Sequence, residues 1–154
     1  MRYNPVDFIR QVLKIRQVRV RVLNEMELAF QACQIAKNMV PGDIFFLEGN
    51  LGAGKTSFVR ALLQSLGFSG PVKSPTYSLM ESYSFPDFSI HHLDLYRLKD
   101  PSELEYLDLE DLLKQPSIFF IEWPEQGLGY LPSPTKILKF AHHPTDPNLR
   151  LFTA

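Results

Sequence analysis

Hydrophobic residues in this chain change their period several times, and each change marks an element. Val6, Ile9 and Leu13 recur at helical intervals and predict a short amphipathic helix. In "QVRVRVLN" (17–24) the period falls to two, with Val18, Val20 and Val22 on one face and Arg19 and Arg21 on the other. That is the pattern of a half-exposed strand. The helical period returns through Leu28, Ala32, Ile35 and Met39. Asn24 with Glu27 three residues on forms a capping box, so this helix should start there and stop before the turn Pro41-Gly42-Asp43. "IFFLE" (44–48) and "SIFFIE" (117–122) are apolar runs that each end in an acid, as expected of strands buried on both faces. "KTSFVRALLQSL" (55–66) has helical spacing and is closed by Gly67.

The stretch 67–78 is too rich in Gly, Pro and Ser for regular structure, whereas "LMESYS" (79–84) and "SIHHLDLY" (89–96) predict strands around a "FPDF" turn. Asp100-Pro101-Ser102-Glu103 is a strong helix start, and one helix carrying Leu104, Leu107, Leu112 and Leu113 should follow. "TKILKFA" and "LRLFTA" flank "HHPTDPN" and predict a hairpin (135–154). Strands alternating with helices, two of them wholly apolar, imply an α/β fold with a mixed, mainly parallel sheet covered by helices on both sides.

Composition narrows the class. The chain has 154 residues, 45% of them hydrophobic and 21% charged, which suits one domain burying about 70% of its unfolded surface. No run approaches the roughly 20 apolar residues that span a bilayer, and the first residues lack the apolar centre and cleavage site of a secretion signal. A lone cysteine, Cys33, excludes an intrachain disulfide framework, fits the helix pattern as a small packing residue, and favours a cytoplasmic home. The net charge of −1 conceals a basic leader: residues 1–21 hold six basic residues against Asp7 alone. Such a leader suits either a solvated helix face or an acidic partner, while the rest of the chain is too acidic to bind nucleic acid by itself. The expected organisation is a basic extension over 1–17 and a single domain over 18–154.

Candidate chemistry begins at "IFFLEGNLGAGKTSF" (44–58), where Gly49, Gly54, Lys55 and Thr56 satisfy G-x-x-x-x-G-K-[ST]. Glycines let the backbone curl until its N–H groups face a phosphate, and the following helix directs its positive end at the same anion. Lys55 brings a mobile charge to the β- and γ-phosphates, and the Thr56 hydroxyl is suited to Mg²⁺. The strand before the loop and the amphipathic helix after it are the context such a motif requires, so the expected fold is a P-loop NTPase-like three-layer α/β/α sandwich. Hydrolysis needs a further carboxylate, and two strand-end acids qualify: Glu122 after "IFFI" and Asp94 after "SIHHL". Each is otherwise a surface acid near a turn. Ser74 and Thr76 lie in an irregular loop that is either a phosphate-sensing switch or a plain proline turn. His91-His92 and His142-His143 do not make a zinc site, since strand neighbours point to opposite faces and no further ligands complete a set. Trp123 is either a core aromatic or a platform for a base or partner.

"GNLGAGKTSFVRALLQSLG", "VKSPTYSL", "HHLDLYRL" with "DPSELEYL", and "IEWPEQGLGYLP" occur in the order of one family, and the chain resembles the bacterial P-loop ATPase of tRNA threonylcarbamoyladenosine synthesis (the TsaE, or YjeE, family) from about Val18 to Pro134. The resemblance implies an ATPase with ATP and Mg²⁺ as cofactors, weak alone and activated by partners. Those partners are a threonylcarbamoyl transferase subunit and its inactive paralogue, with tRNA reached indirectly and no membrane involved. Carried over by position, Gly49, Asn50, Leu51, Gly52, Ala53, Gly54, Lys55, Thr56 and Ser57 hold the phosphates. Thr56 and Glu122 coordinate Mg²⁺, Asp94 is the second acid, and Ser74 and Thr76 behave as a switch. Asn24 and Glu125 correspond to nucleotide-contacting edges. Asn50 stands where the family often has an acid, and the tail after about Pro144 has no evident counterpart.

Two rivals differ in class. A small-molecule P-loop kinase would need an arginine-bearing lid, yet between Asp94 and Glu122 only Arg97 is available. A GTP-type switch would need the guanine-reading Asn-Lys-x-Asp, which is absent.

Overall fold

The computed structural model describes residues 19–154. The helix expected around Val6–Leu13, the basic residues up to Arg16, and Val18 lie outside the described residues. In chain order the elements are β1 (Arg21–Asn24), α1 (Glu25–Asn38), β2 (Ile44–Glu48), α2 (Lys55–Ser65), β3 (Met80–Ser84) and β4 (Ser89–Asp94). A 3₁₀ helix (Pro101–Leu107), α3 (Leu109–Leu113), β5 (Ser117–Glu122), a second 3₁₀ helix (Pro124–Gly127), β6 (Lys136–His142) and β7 (Leu149–Thr153) complete it.

All seven strands form one sheet in the order β1-β7-β6-β2-β5-β4-β3. The inner four, β6-β2-β5-β4, run parallel, and β1, β7 and β3 attach antiparallel at the two edges. Every residue of β5 is buried, as a central strand covered on both faces requires. The Phe45 and Phe120 rings stack across β2 and β5 at 4.7 Å. One face is covered by α1 and α2, which bury Leu28, Ala32, Phe58, Val59, Leu62 and Leu63 against Leu47, Phe120 and Leu138. Phe58 is wedged between Phe140 and Phe152, at 5.4 and 5.8 Å. The other face buries Leu93, Leu95, Leu104, Phe119 and Ile121 beneath the short helices. A mixed sheet between two helical layers is therefore observed.

Two expectations are corrected. Val20 and Val22 face outward, more than half exposed, and Leu23 is the inward residue of β1. Inward and outward alternate along a strand, and Leu23 is the residue that reaches the α1 cluster, so the valine face is left on the solvent side of this edge. The helix expected over 100–113 is two pieces, broken at Asp108, which takes a left-handed conformation (φ 50°). Its first piece is 3₁₀, whose three-residue turn stacks Leu104 over Leu107. The capping box at Asp100 and Glu103 forms as expected, as does the one at Asn24 and Glu27.

Candidate functional site

A cleft of about 1040 Å³ opens at the carboxyl ends of β2, β4 and β5, where ligands bind in open α/β sheets. Its floor is the loop between β2 and α2. Gly52 (φ 74°) and Gly54 (φ 108°) take left-handed conformations that a side chain would strain. Gly49 (φ 153°) shares that backbone constraint and has a second one: a Cβ there would collide with the Phe140 carbonyl of β6. His142 Nε2 lies 2.9 Å from the Leu51 carbonyl and tethers the loop tip to the same strand. The loop leads directly into α2, an eleven-residue helix with no side-chain cap and no acid in its first turn. Its first N–H groups therefore remain free to receive an anion.

Lys55 lies beneath the loop, donating to the carbonyls of Gly49 (2.5 Å) and Asn50 (3.0 Å). Its ammonium is 4.6 Å from the centre of the Trp123 ring. Burial holds its pKa below the ordinary lysine value, opposed by the charges of Glu122, Asp94 and Glu125. One residue on, the Thr56 hydroxyl donates to Glu122 Oε1 at 2.8 Å. His92 Nε2 stands 2.8 Å from the same oxygen. Glu122 ends β5, and its register partner on β4 is Asp94, so the two acids share one sheet face. Burial pushes the Asp94 pKa up, Glu122 adds to this, and the Tyr96 N–H and Ser74 hydroxyl act against it. Ser74 Oγ reaches Asp94 Oδ2 at 3.2 Å and Thr76 Oγ1 at 2.8 Å, which fastens the 74–76 segment to the acid.

The residues singled out from the sequence converge unevenly. Asn24, Leu51, Gly52, Gly54, Lys55, Thr56, Ser57, Ser74, Thr76, Asp94 and Glu122 all line the cleft. Gly49, Asn50 and Ala53 shape the loop without lining it, and Ala53 is wholly buried beneath. Glu125 stands outside the lining, because its 3₁₀ helix turns Pro124 and Gly127 inward and leaves Glu125 exposed. A further part of the lining was not foreseen: Met26 and Ala29 of α1 line the cleft together with Pro147 and Asn148 of the β6–β7 turn and Arg150 of β7. The family resemblance had placed Asn24 at a nucleotide-contacting edge, but nothing local in 147–150 signalled that segment. The two histidines of β4 part as alternation demands. His91 bridges Ser82 (2.7 Å) and Ser117 (3.2 Å) on the far face, where desolvation lowers its pKa. Among the described residues no three His, Cys, Asp or Glu side chains gather as a metal-binding set.

Thr56, Glu122 and Asp94 present hydroxyl and carboxylate oxygens beside the phosphate cradle, a donor set suited to Mg²⁺, which prefers hard oxygen ligands and keeps several waters. A glycine loop between a buried strand and an uncapped helix, with the helix's threonine bonded to an acid on the neighbouring parallel strand, defines a P-loop nucleotide-binding site. The family model "Threonylcarbamoyl adenosine biosynthesis protein TsaE" matches residues 22–150, and this chain belongs to the TsaE family. Among curated proteins, "tRNA threonylcarbamoyladenosine biosynthesis protein TsaE" of Haemophilus influenzae is 44% identical over 106 residues, covering 69% of this chain and 67% of that protein. Its namesake in Bacillus subtilis is 34% identical over 109 residues, covering 71% and 68%. The crystal structure of Bacillus subtilis YdiB superposes with a TM-score of 0.70 at 23% identity, covering 90% of this chain and 86% of that one, and so shows the same fold. No described helix is long and apolar enough to cross a membrane.

Proposed function

We propose that this chain is the Mg²⁺-dependent ATPase of the cytoplasmic machinery that makes threonylcarbamoyladenosine beside the tRNA anticodon, working with the threonylcarbamoyl transferase subunit and its inactive paralogue. The observation that carries the reading is the Thr56–Glu122 hydrogen bond at the start of the P-loop helix, inside a segment that matches the family. The N–H groups from Gly52 to Thr56 and the α2 dipole would cradle the phosphates. Lys55, close by on loop carbonyls, needs only to exchange those acceptors for phosphate oxygens. Thr56 and Glu122 would hold Mg²⁺, which supplies neutralisation of the charge that develops between the β- and γ-phosphates. Asp94 shares the sheet face and the cleft with Glu122, and burial raises its proton affinity, which suits it to orient the attacking water.

The arginines support dependence on a partner. Both that line the cleft are committed: Arg97 lies over the Tyr77 ring at 4.6 Å, and Arg150 donates to the carbonyls of Pro147 and Leu149. A finger supplied by another protein is worth on the order of 10³–10⁵ in rate. ATP turnover should therefore be very slow for the purified chain and rise at least about 100-fold when the transferase pair and tRNA are added. Rapid turnover by the chain alone, or ATP-independent tRNA modification by the complete set, would refute the proposal. Appearance of a phosphorylated metabolite in place of free phosphate would favour a kinase.

A further inference from the structure

His92 is wholly buried, and one of its ring nitrogens has no partner. It lies on β4 two residues before Asp94, on the sheet face that carries Glu122. Its Nε2 meets Glu122 Oε1 at 2.8 Å, and the Thr56 hydroxyl meets the same oxygen at 2.8 Å. Two donors thus converge on Oε1. Glu122 Oε2 takes no protein donor among the described residues and is not sealed from the cleft that the side chain lines.

A carboxylate accepts hydrogen bonds and donates none, so its 2.8 Å contact with His92 calls for a proton on Nε2. Nδ1 is a buried ring nitrogen without a hydrogen-bond partner, which is unfavourable and unusual in a native interior. An apolar residue at this position would fill the same space without the orphan atom. A histidine is accounted for if its Nε2–H has work to do at Glu122.

We propose that His92 is a positioning residue: it clamps Oε1 of Glu122 so that Oε2 is held toward the cleft as the metal-facing oxygen. The inference rests on the Mg²⁺–ATP reading above. His92 also stiffens Thr56 indirectly, because the hydroxyl proton of Thr56 is directed at the oxygen that His92 holds, leaving its lone pairs free. Partners of this kind around a metal site typically change metal affinity by about 10–100-fold when removed.

The test uses the full chain, adenylyl imidodiphosphate as the probe, and His92→Leu and His92→Gln. The glutamine amide can place an N–H near the position of Nε2; leucine cannot. Calorimetry with and without Mg²⁺ measures how much the metal strengthens binding of the analogue. His92→Leu should lose about 10–100-fold of that gain while binding the metal-free analogue as the parent does, and His92→Gln should stay within about 3-fold of the parent. Long-range nitrogen NMR of the parent should find the proton of His92 on Nε2 before any ligand is added. A folded His92→Leu with an undiminished Mg²⁺ gain overturns the inference, as does an Nε2 that carries no proton. Should His92→Leu fail to fold, a folded His92→Gln that loses the gain overturns it equally. If the parent chain itself shows no Mg²⁺-dependent binding, the ATPase reading falls and takes this role with it, an outcome distinct from all the others.

Discussion

Replacing Gly49 by alanine tests whether the phosphate loop is seated by the sheet or merely attached to it. The added Cβ would point at β6, colliding with the Phe140 carbonyl and coming within 3.1 Å of the Phe140 carbonyl carbon and Cβ. Strand β6 has no room to retreat. It is paired with β2 on one side and β7 on the other, and the Phe140 ring is packed against Phe58 and Phe152 at 5.4 and 5.3 Å. The loop must therefore move. Forcing an extra carbon into a packed site costs about 1–3 kcal/mol. For a chain of this size that lowers Tm by roughly 2–12 °C. A displaced loop also misdirects its N–H groups, and losing one hydrogen bond to a charged group costs about 1.5–3 kcal/mol, roughly 10- to 150-fold in nucleotide affinity. Gly52→Ala is the internal control, since its Cβ would meet only His142 at an ordinary 3.6 Å and incur the left-handed backbone cost alone, about 1–2 kcal/mol. Thermal unfolding and titration with an ATP analogue measure both quantities. If Gly49→Ala unfolds within about 1 °C of the parent and binds the analogue equally well, the seating of the loop against β6 is wrong.

Lys55→Ala should reduce ATP-analogue affinity by roughly 100-fold while leaving the far-ultraviolet circular dichroism unchanged, because it removes a charged donor and no core atom; undiminished affinity would refute the cradle. Asp94→Asn should raise the stability of the ligand-free chain while abolishing partner-stimulated turnover. The sign follows from the folded Asp94 pKa, which burial raises above its ordinary 3.8. A raised folded pKa means the carboxylate's unfavourable burial is absent while the group is protonated and is felt as pH climbs from about 3.8 through the folded pKa. The asparagine variant should therefore match the parent in acid and exceed it at neutral pH, measured by urea unfolding at several pH values. An advantage that is largest in acid would contradict the assignment.

How far the sequence foretold this molecule depends on the range of the interactions involved. Both capping boxes are i, i+3 contacts, so Asn24–Glu27 and Asp100–Glu103 were legible as they stand. Strands β2 and β5 announced themselves because burial on both faces leaves a run with no polar alternation. The face of β1 was not legible, since it depends on pairing with β7, far along the chain, and on the core cluster that Leu23 joins. The break at Asp108 was hidden because Leu104, Leu107, Leu112 and Leu113 fit a continuous helix nearly as well. At the site, the motif residues of 49–57 declared themselves by spacing. The link from His92 to Glu122 spans 30 residues and exists only through the β4–β5 register. The wall formed by 147–150 needed the hairpin to fold back beside α1, which no local pattern encodes.

The strained residues complete the physical account of why the site is assembled as it is. Trp123 follows Glu122 in a left-handed conformation (φ 56°), which a bulky aromatic residue adopts at a cost of about 1–3 kcal/mol. That turn ends β5 abruptly at its acid and swings the indole under Lys55 and beside Tyr96, whose ring centre is 4.9 Å away. Leu79, also left-handed (φ 63°), closes the loop that carries Ser74 and Thr76, and its carbonyl receives the Asp94 N–H at 3.0 Å. Two of the three non-glycine residues with positive φ in the described chain thus adjoin the two acids of the cleft. Burial opposes the charged forms of both Lys55 and Asp94 in the same place. Backbone strain and disfavoured charge are concentrated where a polyanion and a dication would relieve the charge, which makes this corner costly for the fold and suited to binding.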